Sequence, residues 1–159
     1  MAGSRYGLVR PAAAPSPTSV TIHGIRAQDL QGGLDQDQLR RMLSASLSRR
    51  FLVTWFSGIE NGFLDKMFPS RRGLNGWRSR NIDVRGLVLS DSTRVSDEKL
   101  NLSGAAKRYG VPVEDPHNAL DDALVTAQLF LILASRFDYR RGGSVRDLLR
   151  AGRTEAVPA

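Results

Sequence analysis

Between Asn118 and Phe137 the apolar residues Leu120, Ala123, Leu124, Ala127, Phe130, Leu131 and Ala134 recur three and four positions apart. That period places them on one face of an α-helix of about five turns, so the fold must bury this stripe against other elements. The longest unbroken apolar run, Leu129 to Ala134, is far short of the roughly 20 residues that a membrane-spanning helix needs. No apolar segment between Met1 and Arg10 has the character of a signal peptide. The chain has no cysteine, which excludes disulfides, zinc thiolate sites and thiol nucleophiles. These features predict a cytoplasmic location with no membrane association.

The rest of the chain reads as an alternation of helices and strands. Tyr6 to Val9 is strand-like until Arg10-Pro11 stops it, and the Ala, Pro and Ser residues up to Ser19 predict a loop. From Asp35 to Ser48, Leu39, Met42, Leu43 and Leu47 recur at helical spacing, with Asp35 and Asp37 at the start, where the helix dipole favours negative charge. Phe51 to Trp55 is aromatic and β-branched, which predicts a buried strand, and Ser57 offers an N-cap for a helix running through Met67. Asn81 to Leu89 suits either a short strand or a helix. Leu102 to Tyr109 predicts a helix that Gly110 ends and Pro112 keeps from resuming. After Phe137, Arg140-Arg141-Gly142-Gly143 opens a basic tail in which Ser144 to Arg150 suits a short helix.

Three segments follow from this pattern: a strand remnant with a Pro/Ala-rich loop at 1–19, the main domain at 20–137, and a basic C-terminal tail at 138–159. At 159 residues, with 41% hydrophobic and 25% charged residues, the chain suits one globular core. The formal charge of +7 points to a polyanionic partner, nucleic acid foremost, through neutralisation of phosphates.

Two side chains stand out against that charge. His117 lies just before the long helix and Asp122 lies in its first turns, so imidazole and carboxylate can converge at the helix start. The same helix start offers backbone N–H groups and a positive dipole end, both suited to phosphate. An imidazole with an ordinary pKa of about 6.5 can take a proton at neutral pH. Asp121 competes with Asp122, but one residue rotates the side chain by about 100°, so the two cannot both face the site.

Leu102-Ser103-Gly104-Ala105-Ala106-Lys107-Arg108-Tyr109-Gly110-Val111-Pro112, followed by His117-Asn118-Ala119-Leu120-Asp121-Asp122-Ala123, resembles the third motif of the DEDDh-type 3′–5′ exonucleases, His-x-Ala-x-x-Asp. This family includes the proofreading epsilon subunits of bacterial DNA polymerase III. The resemblance implies that Asp122 binds a divalent metal, Mg²⁺ or Mn²⁺, and that His117 is the general base toward the attacking water. The motif spacing selects Asp122 over Asp121, which is assigned to solvent. Leu52 to Leu64 resembles the second motif, an apolar strand and then Phe-Asp-x-x-Phe-Leu, with Ile59-Glu60 in the Phe-Asp place and Phe63-Leu64 on register. Glu60 is thereby implied as a second metal-site carboxylate, one methylene longer than the family's Asp. Ile22-His23-Gly24-Ile25 is similar to a segment leading into the family's first helix, where His23 would be a structural or substrate-side loop residue.

The family's first motif, Asp-x-Glu on the first strand, has no counterpart here; Asp35-Gln36-Asp37 lies at a helix start after Ile-His-Gly-Ile. The resemblance therefore implies an α/β, ribonuclease-H-like three-layer fold with a mixed central sheet that lacks the first strands, the chain beginning partway through a longer domain. The implied function is a metal-dependent 3′–5′ exonuclease acting on single-stranded 3′ ends of nucleic acid, with a DNA polymerase as a further partner. Two-metal hydrolysis needs several carboxylates to hold its cations, so the activity of this chain is expected to be weak or absent. The alternative is a catalytically inactive module that binds nucleic acid, with Arg71-Arg72 and Arg140-Arg141 as its basic clusters.

Overall fold

The computed structural model describes residues 6–68, 78–91, 100–141 and 143–153. It is a mixed α/β chain, mostly helical, with a small parallel sheet, and it divides into two compact units at Ser48 and Arg49.

In the first unit the strand expected at Tyr6 to Val9 is reduced to one parallel bridge, Val9 to Leu34. Gly33 makes this bridge possible, because a Cβ there would stand 2.9 Å from the Leu8 carbonyl oxygen. The expected loop up to Ser19 is also corrected: α1 spans Pro17–His23. Local chemistry outweighs its β-branched residues. Ser16 accepts the Ser19 N–H as N-cap, Pro17 occupies a first-turn position that needs no donor, and Gly24 ends the helix at φ 71°. His23 is a structural residue at that end, its Nδ1 accepting the Ile25 N–H at 3.0 Å and its Nε2 lying 2.8 Å from Ser19 Oγ. Helix α2, Gln36–Leu47, starts at a capping box between Asp35 and Gln38.

The second unit carries the sheet. Strand β1, Leu52–Thr54, pairs in parallel with β2, Asn81–Asp83, in the register Val53 to Ile82. Helix α3, Ser57–Met67, follows β1, and α4, Val84–Asp91, follows β2 directly, so the segment 81–89 is strand and then helix. Ser57 is the first residue of α3 rather than its N-cap; Phe56 occupies the cap position and offers no side-chain acceptor. Helix α5, Leu102–Tyr109, is capped by Asn101 and ends at Gly110 with φ 71°. Helix α6 spans Ala119–Arg141 and α7 spans Val145–Ala151. The boundary drawn at 137/138 falls inside α6, and Leu148, Leu149 and Ala151 of α7 pack against the core. Arg71-Arg72 and the side chains of Arg140-Arg141 lie outside the described residues.

The core gathers Ile82, Val84, Leu87, Val88, Ala105, Ala106, Val111, Val125, Leu129 and Leu133. Its α6 face is not the predicted stripe. Val125, Leu129 and Leu133 point inward, whereas Leu120, Leu124 and Leu131 remain exposed. Apolar residues cover most of the circumference of α6, so spacing alone does not distinguish the two faces. The pair Ala105 and Ala106, both fully buried, lets α5 approach α6 closely.

Candidate active site

A cavity of about 690 Å³ opens beside the end of β1, lined by Val53 to Trp55, by Ile59 and Glu60 of α3, by Asn101 to Ser103, and by Pro116, His117, Asp122 and Thr126. Glu60, His117 and Asp122, separated by up to 62 positions in sequence, therefore face one space. Asp121 is absent from its walls, as the 100° offset between helical neighbours requires.

Glu60 lies in the first turns of α3. Within α3 its neighbour Asn61 accepts from Asn81 Nδ2 at 2.9 Å, and Asn81 Oδ1 accepts from Thr54 Oγ1 at 3.1 Å, which ties the first turns of α3 to both strands. Burial raises the Glu60 carboxyl above the usual carboxylate range, a hydrogen bond from its own backbone lowers it, and the nearby Asp83 charge raises it again. Glu60 Oε2 is buried with no hydrogen-bond partner among the described residues. An unpartnered buried carboxylate oxygen is costly, and its presence points to an absent positive or donating group.

His117 sits at φ 70°, in the left-handed region that costs a side-chain-bearing residue free energy. The surrounding loop imposes that geometry. Asn118 follows as N-cap of α6: its Oδ1 accepts from the Leu120 and Asp121 N–H groups, and its carbonyl accepts from Asp122 N–H. The amides at 120–122 are thus already paired, which corrects the expectation that this helix start presents free donors to phosphate. Asp121 is also reassigned. It is half-buried rather than solvated, and its Oδ2 accepts the N–H of both Glu114 and Asp115 at 3.1 Å, clamping the loop that carries His117.

One buried residue escaped the sequence reading. Asp83, 1% exposed, accepts the Ser57 N–H at 2.8 Å and the Gly86 N–H at 2.9 Å, so its carboxylate caps α3 and α4 together. The available signal was an acid standing between a β-branched strand residue and a helix-forming run, with no side-chain cap ahead of α3.

The donor set suits a hard divalent cation. Mg²⁺ is commonly held through one or two carboxylates, with waters and substrate phosphate completing its shell, and Glu60 and Asp122 are the two carboxylates that line the cavity. Among the described residues no three or more His, Cys, Asp or Glu side chains converge as a metal-holding group. None of their helices is long and apolar enough to cross a membrane. No curated protein and no solved structure matches the chain. The family model RNase_T, described as Exonuclease, matches residues 7–130, and the chain therefore belongs to this exonuclease family, whose substrates are nucleic acids and whose members generally use divalent metals.

Proposed function

We propose that the chain is a metal-dependent 3′–5′ exonuclease of the DEDDh type, related to the epsilon proofreading subunits, with His117 as general base, with Asp122 and Glu60 as metal ligands, and with an activity weakened or lost for want of an Asp-x-Glu pair. The observation that carries this reading is the convergence of Glu60, His117 and Asp122 on the walls of one cavity. A divalent cation bound there would neutralise charge on the scissile phosphate. His117, at the exposed rim, would take the proton of the attacking water, and its fixed backbone limits the directions from which that water can approach. The ribonuclease-H-like three-layer architecture, the cytoplasmic location and a polymerase partner belong to the same reading.

The test is incubation of the purified chain with end-labelled single-stranded DNA or RNA and Mg²⁺ or Mn²⁺. Trimming from the 3′ end that is lost in His117→Ala and Asp122→Ala supports hydrolysis at this site. Binding without trimming shifts the reading to an inactive nucleic-acid-binding module, which the +7 charge would serve equally well.

A further inference from the structure

Asp83 is the most deeply buried carboxylate among the described residues, and it lies outside the cavity walls. Its two oxygens serve two elements: Oδ2 receives the first N–H of α3 and Oδ1 receives Gly86 N–H in the first turn of α4. A second crosslink, from Arg85 N–H to the Trp55 carbonyl at 3.0 Å, fixes the same two helix starts to the end of β1. Glu60 stands three residues after Ser57, so the seat of Ser57 sets where the Glu60 side chain points.

Asp83 is itself seated by the C-terminal segment. A Cβ on Gly152, just after α7, would stand 2.9 Å from the Asp83 carbonyl oxygen and 3.1 Å from its nitrogen. A Cβ on Gly86 would stand 2.7 Å from the Gly152 carbonyl oxygen. The φ of −79° at Gly152 is open to any residue, so the close backbone approach, not the conformation, is what requires glycine there. Helix α7 contacts both β2 and α4, and it lies beyond residue 130, where the family match ends.

We infer that Asp83, seated by the backbone contact with Gly152, is a positioning residue for the Glu60 carboxylate, so that the C-terminal helix α7 acts as a strut for the cavity. This rests on the reading of the cavity as a nuclease site. Asp83 holds the N-terminus of α3 with a charge suited to the positive end of its dipole, a function that Phe56 cannot supply. The strut acts through backbone contacts that no side chain can replace.

The experiment uses the full chain without metal and compares Asp83→Asn, Gly152→Ala and, as a control distant from α3, Tyr109→Phe. Amide exchange and the carbon resonance of the Glu60 carboxyl group are read by NMR. The expected result is a tenfold or greater loss of protection over Ser57–Glu60, relative to Val125–Leu129 of α6, and a shifted Glu60 resonance, in both Asp83→Asn and Gly152→Ala but not in the control. The inference is overturned if protection falls uniformly, if Ser57 to Glu60 stay protected, or if the Glu60 resonance stays in place. Gly152→Ala leaves Asp83 intact, so the question survives should Asp83→Asn fail to fold. Added Mn²⁺ separates the two readings: no broadening at Glu60 and Asp122 in the wild type would fail the nuclease site, while the metal-free pattern still decides the role of Asp83.

Discussion

The Asp121 carboxylate accepts the backbone N–H of Asp115 at 3.1 Å, two residues ahead of His117, and Glu114 N–H reaches the same oxygen. The first turn of α6 therefore holds the loop that delivers the candidate base. Asp121→Ala should cost about 1.5–3 kcal/mol in urea unfolding, the range for hydrogen bonds to a charged group. It should also lower kcat more than it raises KM, because the loop is loosened and no substrate contact is removed. Both bonds go to one oxygen, so Asp121→Asn can place its carbonyl there and should recover part of both losses.

His117 carries backbone strain at φ 70°. Glycine reaches that conformation freely and alanine does not, so His117→Gly should be more stable than His117→Ala by about 1 kcal/mol. Both variants should be equally inactive on labelled single strands. Thermal denaturation of the pair checks the ranking; the opposite order, normal for an ordinary backbone position, would mean that the loop does not hold His117 in this geometry.

Much of the second unit was legible because its signals are local. Gly110 marks the end of α5 in the sequence as it does in space, and Phe51 to Met67 reads as a strand followed by a helix. The buried face of α6 was not legible, since Val125, Leu129 and Leu133 alternate with equally apolar residues and the choice is made by the partners Ile82, Leu87 and Ala105. The convergence of His117, Asp122 and Glu60 on one cavity was legible as a proposal, because motif spacing picks out these three. The supports were not. Asp83 reaches back 26 positions to Ser57 and Asp121 reaches back six to Asp115, and neither bond leaves a periodic trace in the sequence.

Tyr109 donates to Asp91 Oδ2 at 2.9 Å, with the Arg136 guanidinium 4.9 Å from the ring centroid. Burial, and then the hydrogen bond and charge of Asp91, push the phenol up to about 12. A folded pKa above the unfolded value of about 10 means that this group's stabilisation is complete below pH ~10 and is lost as pH rises through ~12. Subtracting the tyrosinate absorbance titration of Tyr109→Phe from that of the wild type should isolate one tyrosine ionising near that higher value. Tyr109→Phe should also lose about 1–2 kcal/mol at neutral pH, by removing a hydrogen bond to a charged acceptor, Asp91, which keeps its ion pair with Arg136 at 3.4 Å.

Glu60 Oε2 is the buried side-chain oxygen left without a partner among the described residues, which makes Glu60 a stability cost in the metal-free chain. Glu60→Leu replaces the buried charge with a good helix former, so it should raise the metal-free stability by about 0.5–1 kcal/mol, a figure reduced for the side chain's partial exposure. The same variant should lose the response to cation. A ligand that binds only the folded state raises its apparent stability, so Mg²⁺ should raise the melting temperature of the wild type and leave that of Glu60→Leu nearly unchanged. Melting curves of both proteins in EDTA and in Mg²⁺ check the two effects together. Equal Mg²⁺ responses would place the cation away from Glu60, and a less stable metal-free Glu60→Leu would show that the carboxylate packs favourably without it.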